Sequence, residues 1–107
     1  MCGITGIFNP TNEIDTIRYY KAHLKIRHRG PDDEGFLVKK KGKLKSFKGD
    51  ETINYFSDLA HIKTVATASM ILGHRRLSII DLSKDGHQPF NYKNLSLVYN
   101  GEIYNYK

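Results

Sequence analysis

The sequence predicts an α+β domain on three observations: a strand-like run just after the N-terminus, one stretch with helical spacing, and two later stretches that read as hairpins. At 107 residues there is room for one modest domain, which buries a smaller share of its surface than a mid-sized one.

GITGIF (3–8) reads as a short buried strand, and Asn9-Pro10 as the turn that ends it. Asn12 followed by Asp15 resembles an N-cap with an acidic third position. Ile14, Ile17, Tyr20 and Leu24 then share one helical face. That helix is expected to stop near Arg29, because Gly30 and Pro31 follow. From Gly35 to Phe47 the chain reads as a hairpin turning at Lys41-Gly42. Residues 49–68 fit either a short helix or an irregular excursion. SMILGHRRLSII (69–80) reads as a strand, and Asp81 to Pro89 as a loop. Phe90 to Tyr99 reads as a second hairpin about Lys93-Asn94, with LSLVY as its buried strand. The last residues, EIYNYK, break off within an apolar-aromatic run, so the sequence is expected to be the front part of a longer protein.

Composition excludes several classes. A hydrophobic content of 39% is too high for a disordered chain. The single cysteine rules out an internal disulfide and a multi-thiolate zinc site. There is neither a long apolar run nor a secretory-type start, so no membrane contact and a reducing, cytoplasmic location are expected. The net charge of +6 raises the question of nucleic acid. Much of the excess, however, sits in Lys39, Lys40, Lys41, Lys43, Lys45 and Lys48. There it keeps an exposed hairpin soluble, and no aromatic residues are interleaved for base stacking. No nucleic-acid partner is expected.

Cys2 is the first residue with chemical promise. A lone cysteine is usually a small buried hydrophobe. Position argues otherwise here, because methionine aminopeptidase removes Met1 ahead of a small residue and frees the α-amino group of Cys2. Such an amine, with a reference pKa near 7.7–8.0, can act as general base for the thiol it carries. Three further motifs add to it. RHRGPD (27–32) reads locally as a basic last helical turn with a stop signal. HRRL (74–77) puts arginines in a strand, where a guanidinium can clamp a carboxylate in bidentate fashion. Alternation alone does not say whether Arg75 or Arg76 faces inward. Asn100-Gly101 reads locally as a hairpin turn. It also offers a side-chain amide beside an unhindered backbone N–H, a donor pair for an oxyanion. Nucleophile, base, carboxylate clamp and oxyanion donors make up the parts needed to hydrolyse an amide whose substrate bears a carboxylate.

The Cys2 start with Gly3, Ile4 and Gly6, RHRGPD, HRRLSIIDLS (74–83), Gln88-Pro89 and NGEIYN (100–105) together resemble the class II glutamine amidotransferases, which are N-terminal-nucleophile hydrolases. Among them the wording is closest to the glutamine-dependent asparagine synthetases. The resemblance implies a four-layer α/β/β/α sandwich, incomplete here, with Cys2 at the end of a central strand. It implies Cys2 as nucleophile, Asn100 and Gly101 as the oxyanion hole, Arg76 on the α-carboxylate of glutamine and Glu102 at its amino-acid end. It further implies a γ-glutamyl thioester and released ammonia, with no cofactor or metal for this step. A C-terminal synthetase domain using ATP and Mg²⁺ would consume the ammonia to amidate aspartate, in a homodimer when full length. A relative amidating another carboxylate, or an inactive fragment, would share these motifs. The resemblance also implies a downstream aspartate past residue 107 for the glutamine amino group. Residues 42–68 look longer than a minimal member of that family needs, and a surface excursion is expected there.

Overall fold

The computed structural model describes residues 2–11, 13–77 and 86–99. Its centre is a four-stranded antiparallel sheet built from β1 (Gly3–Phe8), β6 (Met70–Arg76), β3 (Asp33–Lys40) and β4 (Lys43–Phe47), in that spatial order. Two small pairs accompany it: β2 (Ile14–Asp15) with β5 (Thr67–Ala68), and β7 (Phe90–Tyr92) with β8 (Leu95–Leu97). One helix, α1 (Thr16–His23), lies against the main sheet and runs into a 3-10 stretch, Leu24–Arg29. The predicted α+β class holds. No helix among the described residues is long and apolar enough to cross a membrane.

The lysine hairpin forms where the sequence puts it. Lys41 and Gly42 both take positive φ, 51° and 79°, the backbone hand that matches the twist of the flanking strands. The second hairpin turns at Lys93 and Asn94, but its LSL strand is not buried: Leu95 is 68% and Leu97 57% exposed. The β1 strand is likewise more open than expected. It pairs only with β6 among the described residues, so it is an edge strand there rather than a central one, and Phe8 is 68% exposed.

The helix begins later than the sequence suggests. Asp15, not Asn12, is the N-cap, accepting from the N–H groups of Ile17 and Arg18 at 3.1 and 3.3 Å. Asn12 itself lies outside the described residues. Ile14 is drawn out of the helix because it pairs with Ala68, and both are buried. The inward face is then Thr16, Tyr19, Tyr20 and His23, while Ile17 points to solvent. Residues 49–68 are irregular, with 3-10 turns at Asn54–Phe56 and Ile62–Thr64. They are not merely a surface excursion, because Ile62, Val65 and Ala68 close over Tyr20, Phe36, Val38 and Ile71 in the core.

Register divides the sheet into two working sides. Partners across antiparallel strands share a face and successive residues alternate. Glu34 faces Arg75 and Phe36 faces Gly73 on the helix side; Asp33 faces Arg76 and Gly35 faces His74 on the other. The helix side is packed by the Tyr19, Tyr20 and His23 rings against Phe36, at centroid distances of 6.1, 5.5 and 4.7 Å. The opposite side is covered by residues 86–99: His87 reaches Asp33, and Asn91 reaches Ser46.

Candidate active site

Cys2 sits one residue ahead of β1. Because Gly3 pairs with Arg75, Cys2 falls opposite Arg76, on the side of the sheet away from α1. The Leu77 N–H donates to Cys2 Sγ at 3.4 Å, so the end of β6 holds the sulfur. Arg29, from RHRGPD, donates to the Cys2 carbonyl at 3.3 Å. The thiol is free and half-buried.

Arg76 is buried, at 5% exposure, and its guanidinium lies close against Gly86. A β-carbon at Gly86 would overlap that guanidinium, so glycine there lets the loop pass close by. Gly35 does the same on β3, where a side chain would collide with the Gln88 carbonyl and the His87 ring. His87 contributes two contacts of its own: its Nδ1 lies 2.6 Å from Asp33, and its ring stacks on Phe56 at 4.2 Å.

Tyr99 precedes the predicted oxyanion pair and is held from two directions. Gln88 accepts from the Tyr99 N–H at 2.6 Å and donates to the Tyr99 carbonyl at 3.1 Å. The Nε2 of His74 lies 3.1 Å from the same carbonyl. Burial pushes His74 down to about 4, so the ring is neutral at pH 7 and its Nε2–H is the donor. Three distant parts of the sequence, the N-terminus, the end of β6 and residues 86–99, therefore converge at one end of the sheet. Asn100, Gly101 and Glu102 lie outside the described residues.

Behind this end, on the helix side, stands an ionic cluster. Arg75 donates to Glu34 at 2.8 Å, to Glu51 at 2.6 Å and to the Gly30 carbonyl at 2.9 Å. Tyr20 donates to Glu34 at 2.9 Å, as does the Glu51 N–H at 2.8 Å. His23 Nε2 stands 3.4 Å from Glu34, within ion-pair range but without the alignment of a hydrogen bond. Burial pushes Glu34 up, but His23, the Glu51 N–H, Tyr20 and Arg75 outweigh it and hold the carboxyl below its ordinary value. Arg27 donates to both oxygens of Glu51 and, against partial burial and with help from Arg75, holds that carboxyl at about 2. RHRGPD thus does more than end a helix: Arg27 fixes Glu51, Arg29 fixes Cys2 and Gly30 receives Arg75.

Sequence reasoning pointed to Cys2 and Arg76, which the strand register sets on one side of the sheet, and it passed over the contacts among Gln88, His74 and Tyr99. The one local signal was Gly35 in β3, since glycine inside a strand pattern marks a close backbone approach.

Residues 57–107 match the glutamine amidotransferase domain family. A Methanocaldococcus jannaschii protein, provisionally named an asparagine synthetase [glutamine-hydrolyzing], is 37% identical over 99% of this chain, which spans 19% of that protein. Asparagine synthetase [glutamine-hydrolyzing] 1 of Bacillus subtilis is 32% identical over 99% of the chain and 13% of its own length. Asparagine synthetase B of Escherichia coli is 32% identical over the whole chain and 15% of its own length. The chain thus spans less than a fifth of each of these relatives. No solved structure matches it significantly. The chain belongs to the class II glutamine amidotransferases. Within that class it is similar along its whole length to the glutamine-hydrolysing asparagine synthetases.

Proposed function

We propose that this chain belongs to the glutaminase part of an asparagine synthetase, which releases ammonia from glutamine at Cys2. The observation that carries the reading is the Leu77 N–H aimed at Cys2 Sγ directly beside Arg76. In it, Met1 is removed and the α-amine of Cys2 takes the thiol proton as the sulfur attacks the side-chain amide carbon of glutamine. The amine returns that proton to the departing nitrogen, so ammonia leaves and a γ-glutamyl thioester remains. Water, deprotonated by the same amine, then frees glutamate and restores the thiol. Asn100 Nδ2–H and the Gly101 N–H receive the oxyanion, where donors act more strongly in the intermediate than in the ground state. Arg76 pairs with the α-carboxylate and Glu102 with the amino-acid end of glutamine.

The same reading makes residues 1–107 a glutamine amidotransferase domain. The described sheet is then one of two in a four-layer sandwich, with the open β1 edge and its exposed Ile4, Ile7 and Phe8 supporting further cover. It assigns ATP, Mg²⁺ and aspartate to a synthetase domain, for which the greater length of the relatives leaves room, in a cytoplasmic protein. Glutamate release from glutamine tests the glutaminase step. Cys2→Ala should abolish it, and so should a residue retained ahead of Cys2, which turns the base into an amide. Full activity in the blocked protein would sink the N-terminal-amine mechanism.

A further inference from the structure

We propose that Gln88 is a positioning residue for the oxyanion pair, acting through the main chain of Tyr99. The inference rests on the glutaminase reading above. Gln88 is 8% exposed, and both ends of its amide engage the same residue. Its Oε1 takes the Tyr99 N–H at 2.6 Å and its Nε2–H reaches the Tyr99 carbonyl at 3.1 Å. This two-way exchange is what a neighbouring antiparallel strand would supply, made here by one side chain. His74 donates to that carbonyl from the strand that ends in Arg76, tying Tyr99 to the sheet.

The consequence follows from covalent geometry. The Tyr99 carbonyl belongs to the planar peptide unit that includes the nitrogen and Cα of Asn100. Fixing that carbonyl fixes the plane from which Asn100 departs, leaving two soft dihedrals before the Gly101 N–H. Oxyanion donors gain their advantage from being oriented before the reaction, so a loose plane would weaken the transition state more than the ground state.

Gln88 has its own supports. Its carbonyl passes over Gly35, where no side chain blocks it, and the adjoining His87 is anchored on Asp33 and Phe56. Chemistry explains why glutamine is needed. Glutamate would keep the acceptor but face the Tyr99 carbonyl with a second oxygen, and leucine would offer neither group. Asparagine is one methylene too short to reach.

The test uses the full natural chain and compares Gln88→Glu and Gln88→Leu with the unaltered protein. Two quantities are read: steady-state glutamine hydrolysis and hydrogen exchange at the Tyr99 amide. The kcat should fall about tenfold, less than the loss from deleting an oxyanion donor outright, while KM for glutamine stays within about threefold. Exchange at Tyr99 should rise about tenfold or more while the β3–β4 amides keep their protection. The alkylation rate of Cys2 should not change. Unaltered kcat, or a loss of kcat accompanied by general loss of β3–β4 protection, would overturn the inference. If Cys2→Ala still hydrolysed glutamine, the glutaminase reading would fall and the catalytic part of this inference with it. The Tyr99 exchange would still report whether Gln88 holds the Tyr99 main chain.

Discussion

Arg75 and Arg76 are adjacent in β6, and the pleat of the strand sends them to opposite sides of the sheet. Both are buried, at 0% and 5% exposure, so neither residue type nor burial separates them. Their surroundings do. Arg75 enters a closed set of Glu34, Glu51 and the Gly30 carbonyl, the kind of cluster that ties elements together. Arg76 runs past a glycine on the side that also carries Cys2, Asp33 and His74. The helix side of this sheet builds the domain, and the other side holds what the proposed chemistry needs.

The sharpest way to break that contrast is at Arg75. Arg75→Met would leave Glu34 buried without its cation, and about 3–5 kcal/mol of stability should go, read from urea unfolding. A loss below about 1 kcal/mol would mean the cluster does not hold the fold. Arg76→Lys should show in glutamine binding. KM for glutamine should rise about tenfold with kcat within about threefold, because lysine cannot make a bidentate pair. An unchanged KM would remove the clamp.

Acid should unsettle the two sides in separate windows. His74 is held at about 4 against an ordinary 6.5, so it adds stability that is complete above pH 6.5 and drains away as pH falls toward 4. Glu51 is held at about 2 against 4.5, so its share is complete above pH 4.5 and is lost as pH falls through 2. In unfolding measured against pH, His74→Asn should flatten the upper window and leave the lower one. The smallest effect is expected at Arg27, whose side chain is 61% exposed. Arg27→Ala should lower the melting temperature slightly, and less still at high salt. A large loss independent of salt would make it part of the buried cluster.

Local chemistry in the sequence carried some of this. Lys41-Gly42 demands a turn and makes one. Asn12 and Asp15, by contrast, are both good caps three residues apart, and the choice between them is made by the pairing of Ile14 with the distant Ala68. Alternation in HRRL does put consecutive arginines on opposite faces. It could not say which face is which, because Asp33 to Val38 on the neighbouring strand are buried throughout. LSLVY is apolar yet exposed over LSL, since nothing among the described residues covers it. Cys2 and Arg76 stood out through motif wording, and the strand register sets them on one side of the sheet. Gln88 was visible only as part of a pair, because its role depends on meeting Tyr99 across a hairpin.

The group that meets the sulfur of Cys2 is a main-chain amide, that of Leu77. Such a contact is insensitive to what side chain the position carries. Any residue there supplies the same N–H except proline, which has none. Leu77 could therefore be exchanged widely to suit its packing without disturbing the thiol, so an inventory of side chains would overlook the part of the site hardest to lose by substitution.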